Sequence, residues 1–519
     1  PIHLNGNTEA CGRFLQLYNA ALEAMCRARG WSFAKNNEAA PEKAQSRLRR
    51  VYNRTPAPLR AIARFAWWLW SVRRVVGSCR SLPPSSASTG TITTYFPNIN
   101  VKKAEEGVFR SRYWESLHDA LRDDAGEGNT PAVRWLFVLF PSPQGSLAQC
   151  CGFRDNFRKT RKSGVSFNYL EEFLTPGSVL KSLVRYARIA VMSAVSEKRI
   201  RSSFHFAHST LDLWPLLAGE YAESFRGWRC LERCLQQKGL ENYVALSGRQ
   251  RYWTFPLENC PWERMLTHAV HEAGAGTVYG AQHSTIRATD FRYFDDPRTF
   301  SDPETNAFQP DYVVGNGSAA VSQWADAGVP EARLRKAEAL RYLYLAGSEP
   351  APVTGTPKDL LVVTSFFRDE TEAHLKLLAE ALQAGLLKGF NVTVKPHPYL
   401  PVQERLSELL HGRTEGLRFS TAPIAEELAC NPLVWASNST TVALEAAIKG
   451  LPVMVMQPSG DFDLCPLQNI KELPRTSNLD DVRAGIASAA PLSLAPDYLL
   501  LDTSLTAWRT MLGLRHTGN

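Results

Sequence analysis

The chain has 519 residues, of which 44% are hydrophobic and 21% charged, and its net charge is +8 at pH 7. This length predicts two large domains plus something smaller, and the composition is typical of an ordinary globular protein. The best candidate for a membrane span, FAWWLWSVRRVV at 65–76, contains two arginines and is shorter than the roughly 20 residues that cross a bilayer. The ten cysteines form no Cys-x-x-Cys pair, which argues against structural zinc and predicts reduced thiols.

The positive charge is concentrated near the start of the chain. Residues 41–80 hold ten lysines and arginines against a single acid, Glu42, together with three tryptophans, Trp67, Trp68 and Trp70. Basic side chains beside tryptophans suit an anionic membrane surface. They suit equally well a helical hairpin whose tryptophans pack on the domain below while the arginines face water. We predict a basic helical segment over residues 1–90 with no role in nucleic-acid binding, since no aromatic-basic recognition motif accompanies the charge.

After the linker SLPPSSASTGT (81–91), short β-rich runs alternate with helix-like sequence. TITTYFP (91–97), WLFVLFP (135–141), TVYGAQH (277–283) and DYVVGNG (311–317) end in proline, glycine or polar residues. Helix-like segments such as YWESLHDALRDD (113–124) lie between them. Strands that alternate with helices predict a parallel sheet with helices on both faces. The sequence therefore predicts a Rossmann-like lobe over 91–350, followed by a Pro/Gly/Thr linker.

A second alternating series starts at residue 358. The predicted strands are DLLVVTSFF (359–367), FNVTVKPHP (390–398), PLVWASNSTT (432–441) and LPVMVMQ (451–457). Residues 369–387 form a predicted amphipathic helix, and Gly450 is the predicted stop of the helix that follows residue 441. This pattern predicts a second Rossmann-like lobe over 358–490 and a closing helix within 491–519. Two such lobes would enclose a cleft at the carboxyl ends of their strands.

Polar clusters follow the predicted strands of the second lobe, where a parallel sheet binds ligands. Hydroxyl side chains and unpaired N–H groups before a helix form a potential phosphate site, and Lys395 and His397 add cationic groups at a neighbouring strand end. The two prolines beside His397 would hold its ring rigidly. The candidate nucleotide-binding residues are Thr364, Ser365, Lys395, His397, Pro398, Ser437, Asn438, Ser439, Thr440 and Glu445.

The motifs KPHP (395–398) and SNSTTVALEAAIKGLPV (437–453) resemble the donor lobe of GT-B glycosyltransferases. The sequence is most similar to families that use CMP-activated acidic sugars, namely bacterial sialyltransferases and the capsule and O-antigen Kdo transferases. The resemblance implies that the His-Pro motif and the Ser/Thr-rich helix start hold the CMP phosphate and that Glu445 contacts the nucleoside. Polyglycerol-phosphate transferases, which use CDP-glycerol, have a similar lobe.

The first half also resembles bacterial surface-carbohydrate biosynthesis proteins, in pieces that include TYFPNIN (94–100), SRYWESL (111–117), LENCPWERML (257–266), YGAQHSTI (279–286) and KAEALRYLYL (336–345). Both resemblances together cover most of residues 91–470. They imply a cytoplasmic enzyme, peripheral at the inner membrane if the basic start binds lipid. Its implied acceptor is a lipid-linked or oligosaccharide glycan.

Transfer of such a sugar needs a base for the acceptor hydroxyl or a carboxylate nucleophile, and neither cofactor nor metal is expected. The predicted catalytic residues are Glu258, Glu263, His283 and Asp290, with Gln282 and Arg341 as sugar or acceptor contacts. Glu105-Glu106-Gly107 is similar to an acidic motif of some sialyltransferases, but a solvated charge run explains it better. Asp461-Phe462-Asp463 matches a metal-binding pattern by chance in a Pro/Gly-flanked loop.

Three other functions remain open at this stage. The first is a glycerophosphotransferase of the CDP-glycerol type, and the second is an enzyme similar to the UDP-GlcNAc 2-epimerases, which share this fold. The third is a non-catalytic scaffold that the basic segment recruits to a membrane.

Overall fold

The computed structural model describes residues 55–79, 81–82, 89–96, 99–123, 133–139, 147–160, 165–202, 214–287, 293–347, 358–460 and 462–515. These residues form two parallel β-sheets with helices packed around them, so the predicted pair of Rossmann-like lobes is confirmed. Among the described residues, no helix combines the length and apolar character required to cross a bilayer.

The first sheet has seven strands in the order β3-β2-β1-β4-β5-β6-β7. Every neighbouring pair runs parallel. The strands are β1 (Gly90–Phe96), β2 (Val133–Leu139), β3 (Ser166–Tyr169), β4 (Tyr252–Pro256), β5 (Thr277–Ala281), β6 (Tyr312–Gly315) and β7 (Leu334–Lys336). The sequence located β1, β2, β5 and β6 because each is an apolar run that stops at a turn residue. It did not locate β3, β4 or the three-residue β7.

The helices of the first lobe fall into two groups. The helices outside the bundle are α2 (Val101–Glu105), α3 (Leu117–Asp123), α4 (Leu147–Thr160), α8 (Pro261–Glu272), α9 (Pro303–Asn306) and α10 (Ser318–Asp326). A helical bundle contains α1 (Ala57–Val72), α5 (Pro176–Ser202), α6 (Trp214–Arg226) and α7 (Trp228–Ser247). Here α1 and α5 both pack on α7, around buried residues such as Ala61, Leu231 and Leu235.

The second sheet has six strands in the order β10-β9-β8-β11-β12-β13, again all parallel. They are β8 (Asp359–Val363), β9 (Asn391–Lys395), β10 (Leu417–Phe419), β11 (Leu433–Ser437), β12 (Val453–Met456) and β13 (Arg475–Thr476). Its helices are α11 (Arg368–Gln383), α12 (Gln403–Leu409), α13 (Ile424–Ala429), α14 (Val442–Ile448) and α15 (Leu479–Ser488). Just beyond α14, the left-handed Gly450 (φ +66°) stands at the predicted helix stop.

Both sheets reverse their strand order once, and these reversals position the site. In the first sheet the reversal lies between β1 and β4, and in the second between β8 and β11. At such a switch point the connections diverge to opposite sides and leave a crevice at the carboxyl ends of the strands. Crevice-lining residues in the two lobes are therefore those that follow β1 and β4 and those that follow β8 and β11.

The end of the chain returns to the first lobe. The final helix, α16 (Thr506–Leu512), inserts Trp508 and Leu512 into the core around β1 and β2. The buried carboxylate of Glu338, just after β7, accepts the N–H groups of Ala507 at 2.8 Å and Trp508 at 3.0 Å. The carboxylate thus caps α16 by satisfying two N–H groups that a helix start leaves unpaired.

Candidate active site between the two lobes

Glu258 and His283 form the centre of the first-lobe crevice. Glu258 lies two residues beyond β4 and His283 two residues beyond β5, and these strands are neighbours in the sheet. Nε2 of His283 lies 3.1 Å from Oε1 of Glu258. The ring also packs edge-on against Tyr113, with centroids 4.5 Å apart. The structure thus brings together two of the four predicted catalytic residues.

The second ring nitrogen of His283 is available to a ligand. Its Nδ1 atom is buried and has no hydrogen-bond partner among the described residues. A buried nitrogen without a partner carries a cost that a ligand could relieve, so it marks a point where a polar group would bind.

Glu263 has a different environment from Glu258. Its side chain is buried in α8, and both carboxyl oxygens accept the backbone N–H of Glu258, at 3.2 and 3.1 Å. Burial raises the pKa of Glu263 well above its usual range. Glu263 therefore fixes the chain at Glu258, which has the left-handed Asn259 (φ +55°) directly after it.

The remaining first-lobe candidates are dispersed. Gln282 is buried, and its amide accepts from the N–H of Asn316 at 2.8 Å and donates to the Ser284 carbonyl at 2.6 Å, so it holds the loop together. Arg341 is exposed on the connection between the lobes. Asp290 lies outside the described residues. Glu105 and Glu106 are exposed at the end of α2.

In the second lobe, the loop 437–441 joins β11 to α14 at the switch point. The hydroxyl of Ser437 is hydrogen-bonded to Nδ1 of the fully buried His374, at 2.8 Å. Burial lowers the pKa of His374 to about 3, so the ring is neutral. Asn438 is engaged on both sides of its amide: it donates to the Phe462 carbonyl and accepts from the N–H of Leu464.

One backbone donor of this loop already has an internal carboxylate as partner. The N–H of Ser439 donates to Oε1 of Glu370 at 2.8 Å, and Glu370 is buried in the first turn of α11. Burial raises the pKa of Glu370. The carboxylate occupies a position where the sequence predicts phosphate binding, so an incoming phosphate would have to displace it or bind to the neighbouring groups.

Thr364 lies at the same switch point, directly after β8. Its hydroxyl is buried and has no hydrogen-bond partner within the described ranges. Ser365, the next residue, uses its hydroxyl to accept the N–H of Phe367 at 3.0 Å. Thr440, on the facing loop, is half-buried, and its hydroxyl accepts the N–H of Val442 at 3.4 Å.

The KPHP motif lies one strand farther out, after β9. The Lys395 ammonium donates to the carbonyl of Ala422, beyond β10, and burial lowers its pKa. The His397 ring packs between Phe366 and Tyr399, with centroid distances of 5.7 and 5.4 Å, and Pro398 is exposed. No hydrogen bond between described residues joins Lys395 or His397 to the loop 437–441.

Glu445 is buried and engaged by two hydroxyl groups of the protein. Thr441 donates to Oε1 at 2.9 Å, and Tyr344 donates to Oε2. Tyr344 belongs to the 3₁₀ segment Leu340–Leu345, which follows β7 on the way to the second lobe. Glu445 therefore ties the inter-lobe connection to α14, and a ribose could reach this carboxylate only by replacing one of these hydroxyls.

Arg287, which no sequence motif marks, links the two crevices. It lies four residues after His283, and its Nη2 donates to the Ser439 carbonyl in the second lobe at 2.7 Å. Its Nε atom is buried and has no partner among the described residues. A guanidinium with a spare donor between two strand-end loops is well suited to bind an anion. Nothing in the isolated string STIRATD distinguishes it from a surface arginine.

The described residues contain no group of three His, Cys, Asp or Glu side chains arranged to hold a metal ion. Asp463, from the apparent metal-binding pattern, instead forms an ion pair with Arg475 at 2.8 Å. The eight cysteines in the described ranges are free thiols.

Comparison with known proteins gives matches in three-dimensional structure alone. No protein-family model and no curated protein matches the chain. Among solved structures, UDP-GlcNAc 2-epimerase from Methanocaldococcus jannaschii, in complex with UDP-GlcNAc and UDP, is similar at 9% identity and a TM-score of 0.37, covering 80% of this chain and 96% of the epimerase. The Neisseria meningitidis enzyme bound to UDP-GlcNAc has 10% identity, a TM-score of 0.40 and coverages of 82% and 100%.

A further similar structure is the lipopolysaccharide outer core galactosyltransferase WaaB, at 9% identity, a TM-score of 0.37 and coverages of 77% and 88%. The protein's own two parallel sheets, each with a single reversal of strand order, establish that it is an α/β protein with two Rossmann-like lobes.

Proposed function

We propose that this protein is a glycosyltransferase that moves an acidic ulosonic sugar, Kdo or a sialic-acid-like nonulosonate, from a CMP-sugar to a growing bacterial surface glycan. One observation carries the proposal. The loop 282–287 holds His283 against Glu258 at one switch point and extends Arg287 to Ser439 at the other. The KPHP and SNSTT resemblances supply the choice of donor.

Glu258 is the proposed base. The acceptor hydroxyl attacks the anomeric carbon of the sugar, its proton passes to the Glu258 carboxylate, and the bond from that carbon to the phosphate oxygen breaks with its electron pair on CMP. His283 orients the carboxylate through the 3.1 Å contact. Glu263 is a positioning residue, since its carboxyl oxygens accept the backbone N–H of Glu258.

Arg287 is the proposed partner of the negative charge that develops on CMP. A fixed donor in a water-poor crevice stabilises such charge because it needs no reorganisation during the reaction. Thr364 offers a buried hydroxyl at the same switch point. In this proposal Lys395, His397 and Glu445 bind the nucleotide after releasing the internal contacts described above. No metal ion takes part.

Nucleotide binding is the first test. Thermal shift and isothermal titration with CMP, CDP, UDP and GDP should show CMP raising the melting temperature most, because a ligand that binds only the folded state stabilises it. Stronger stabilisation by UDP or GDP would contradict the CMP-sugar assignment.

The second test separates chemistry from binding. With CMP-Kdo or CMP-sialic acid as donor and a glycan acceptor, Glu258→Gln should lower turnover by about 100-fold or more while CMP binding persists, since general bases contribute roughly 10² to 10⁴ in rate. Glu105→Gln, at an exposed carboxylate, is the matched control. Conversion of UDP-GlcNAc into an epimer, or cellular function that survives Glu258→Gln, would overturn the glycosyltransferase proposal.

A further inference from the structure

The outer face of α1 exposes an unusual set of apolar side chains. Its inner face packs on the rest of the helical bundle and consists of Ala61, Phe65, Trp68 and Val72. The ring centroids of Trp68 and Trp228 are 6.2 Å apart. The opposite face exposes five large apolar side chains to solvent: Leu59, Ile62, Trp67, Leu69 and Trp70. Trp67 and Trp70 are 57% and 63% exposed. A helix with apolar residues on two opposite faces needs a second partner beyond the bundle.

The charges around this face select the partner. The three exposed arginines of α1 and its C-terminal turn are Arg64, Arg73 and Arg74. Arg64 lies 5.1 Å from the ring of Trp67, and Arg73 lies 4.5 Å from that of Trp70. Residues 43–104 contain no aspartate or glutamate, and the chain immediately before α1 adds Lys43, Arg47, Arg49, Arg50 and Arg54. This surface is therefore complementary to an anionic, partly apolar partner.

We propose that the outer face of α1 docks on an anionic lipid bilayer, with Trp67 and Trp70 at headgroup depth and Leu59, Ile62 and Leu69 toward the acyl chains. Tryptophan rings favour the interface because one edge is polar and the body is apolar, while arginines bind acidic headgroups. Docking of this kind needs no membrane-spanning helix. It is independent of the sugar chemistry, so either proposal can fail without the other.

The test uses the full chain and vesicles of phosphatidylcholine alone or with phosphatidylglycerol. Flotation should show binding to the anionic vesicles and little to the neutral ones. Raising the salt from about 0.1 M to about 1 M should weaken it, since the screening length falls from about 10 Å to about 3 Å. Absence of binding to anionic vesicles would overturn the proposal.

Substitutions then test whether the outer face of α1 is the surface that binds the vesicles. Trp67→Ser with Trp70→Ser should lower the fraction bound at least tenfold, and Arg64→Gln with Arg73→Gln and Arg74→Gln should remove the preference for anionic vesicles. The matched control is Leu180→Ser with Val184→Ser, which changes two exposed apolar residues of α5. Equal loss in the control would contradict the assignment to α1. Circular dichroism and the ligand-free melting temperature report whether each variant is folded.

A second copy of the chain or residues 1–54 could cover the same face. Sedimentation velocity without lipid tests for a second copy of the chain on this face. The bilayer proposal would be overturned if the wild type is a dimer that binds no vesicles and if Trp67→Ser with Trp70→Ser makes it dissociate. Deletion of 1–54 distinguishes the second, because vesicle binding that appears only after the deletion would assign this segment as the partner of α1 and would also overturn the bilayer proposal.

Discussion

Two glutamates five residues apart show how burial assigns different tasks to the same side chain. Glu258 contacts an imidazole beyond the end of a strand, whereas Glu263 is buried in α8, and this burial raises its pKa. The sequence could nominate both, because both lie in the segment LENCPWERML (257–266), beside a predicted helix. It could not separate them, since the difference arises from burial against elements far away in the chain.

The pH dependence of stability should reveal a second buried carboxyl, Glu171, in the 3₁₀ segment Leu170–Phe173. Burial raises the pKa of Glu171 from 4.5 to about 8. Between these values the folded protein holds a proton that the unfolded chain releases, so the free energy of unfolding falls as pH rises from about 4.5 to about 8. Each pKa unit corresponds to about 1.4 kcal/mol.

Glu171→Gln should therefore flatten this decline by up to several kcal/mol, measured as the free energy of unfolding in urea at pH 5, 6, 7 and 8. Glu106→Gln, at an exposed site, serves as the control and should follow the wild-type slope. If Glu171→Gln shows the same slope as the wild type, Glu171 does not titrate in this range.

At the scale of secondary structure, strands were predictable where an apolar run met a turn residue. β12 is apolar throughout, and β8 is apolar after its first residue, because helices cover both faces of a parallel sheet. The helical bundle formed by α1 and α5–α7 was only partly anticipated. Its longest helix, α5, exposes Leu180, Val184 and Val195, which blurs the helical periodicity on which prediction depends.

The site was predictable in position rather than in detail. Predicted strand ends nominated His283, Thr364 and the loop 437–441, because parallel strands bring their carboxyl ends to one edge. The direction of Lys395 toward Ala422 depends on β10, a three-residue strand that the sequence did not reveal.

The cap on α16 should contribute measurably to stability. Glu338→Gln leaves a single acceptor oxygen for two buried N–H groups, which should cost about 1 to 3 kcal/mol of the free energy of unfolding. Chemical denaturation measures this loss, and Glu331→Gln, at an exposed position on the same connection, should cost much less. Equal effects of the two substitutions would show that the cap is unimportant.

For the whole molecule, Arg287 is the contact that should couple the lobes to the ligand. Arg287→Ala removes the hydrogen bond to Ser439 together with the spare Nε donor. It should weaken nucleotide binding about tenfold or more, because the proposed ligand loses a charged hydrogen-bond donor. The ligand-free melting temperature should change little, because the folded protein loses a single half-buried hydrogen bond. Isothermal titration and thermal melting provide the two measurements.

Arg298→Ala is the matched control, since this exposed arginine pairs with Asp296 in its own lobe. Unchanged nucleotide affinity in Arg287→Ala would remove Arg287 from the binding site. A large fall in the ligand-free melting temperature of Arg287→Ala would instead show that Arg287 stabilises the folded protein.

The return of α16 to the first lobe has a consequence for biosynthesis. Trp508, Leu512 and Leu514 complete a core whose other members, such as Ile92 and Phe137, emerge from the ribosome about 400 residues earlier. Domains near the N-terminus generally fold as units during translation. This lobe can bury its full apolar surface only after residues 508–514 have been synthesised, so the nascent chain carries an unfinished core while the ribosome makes the second lobe.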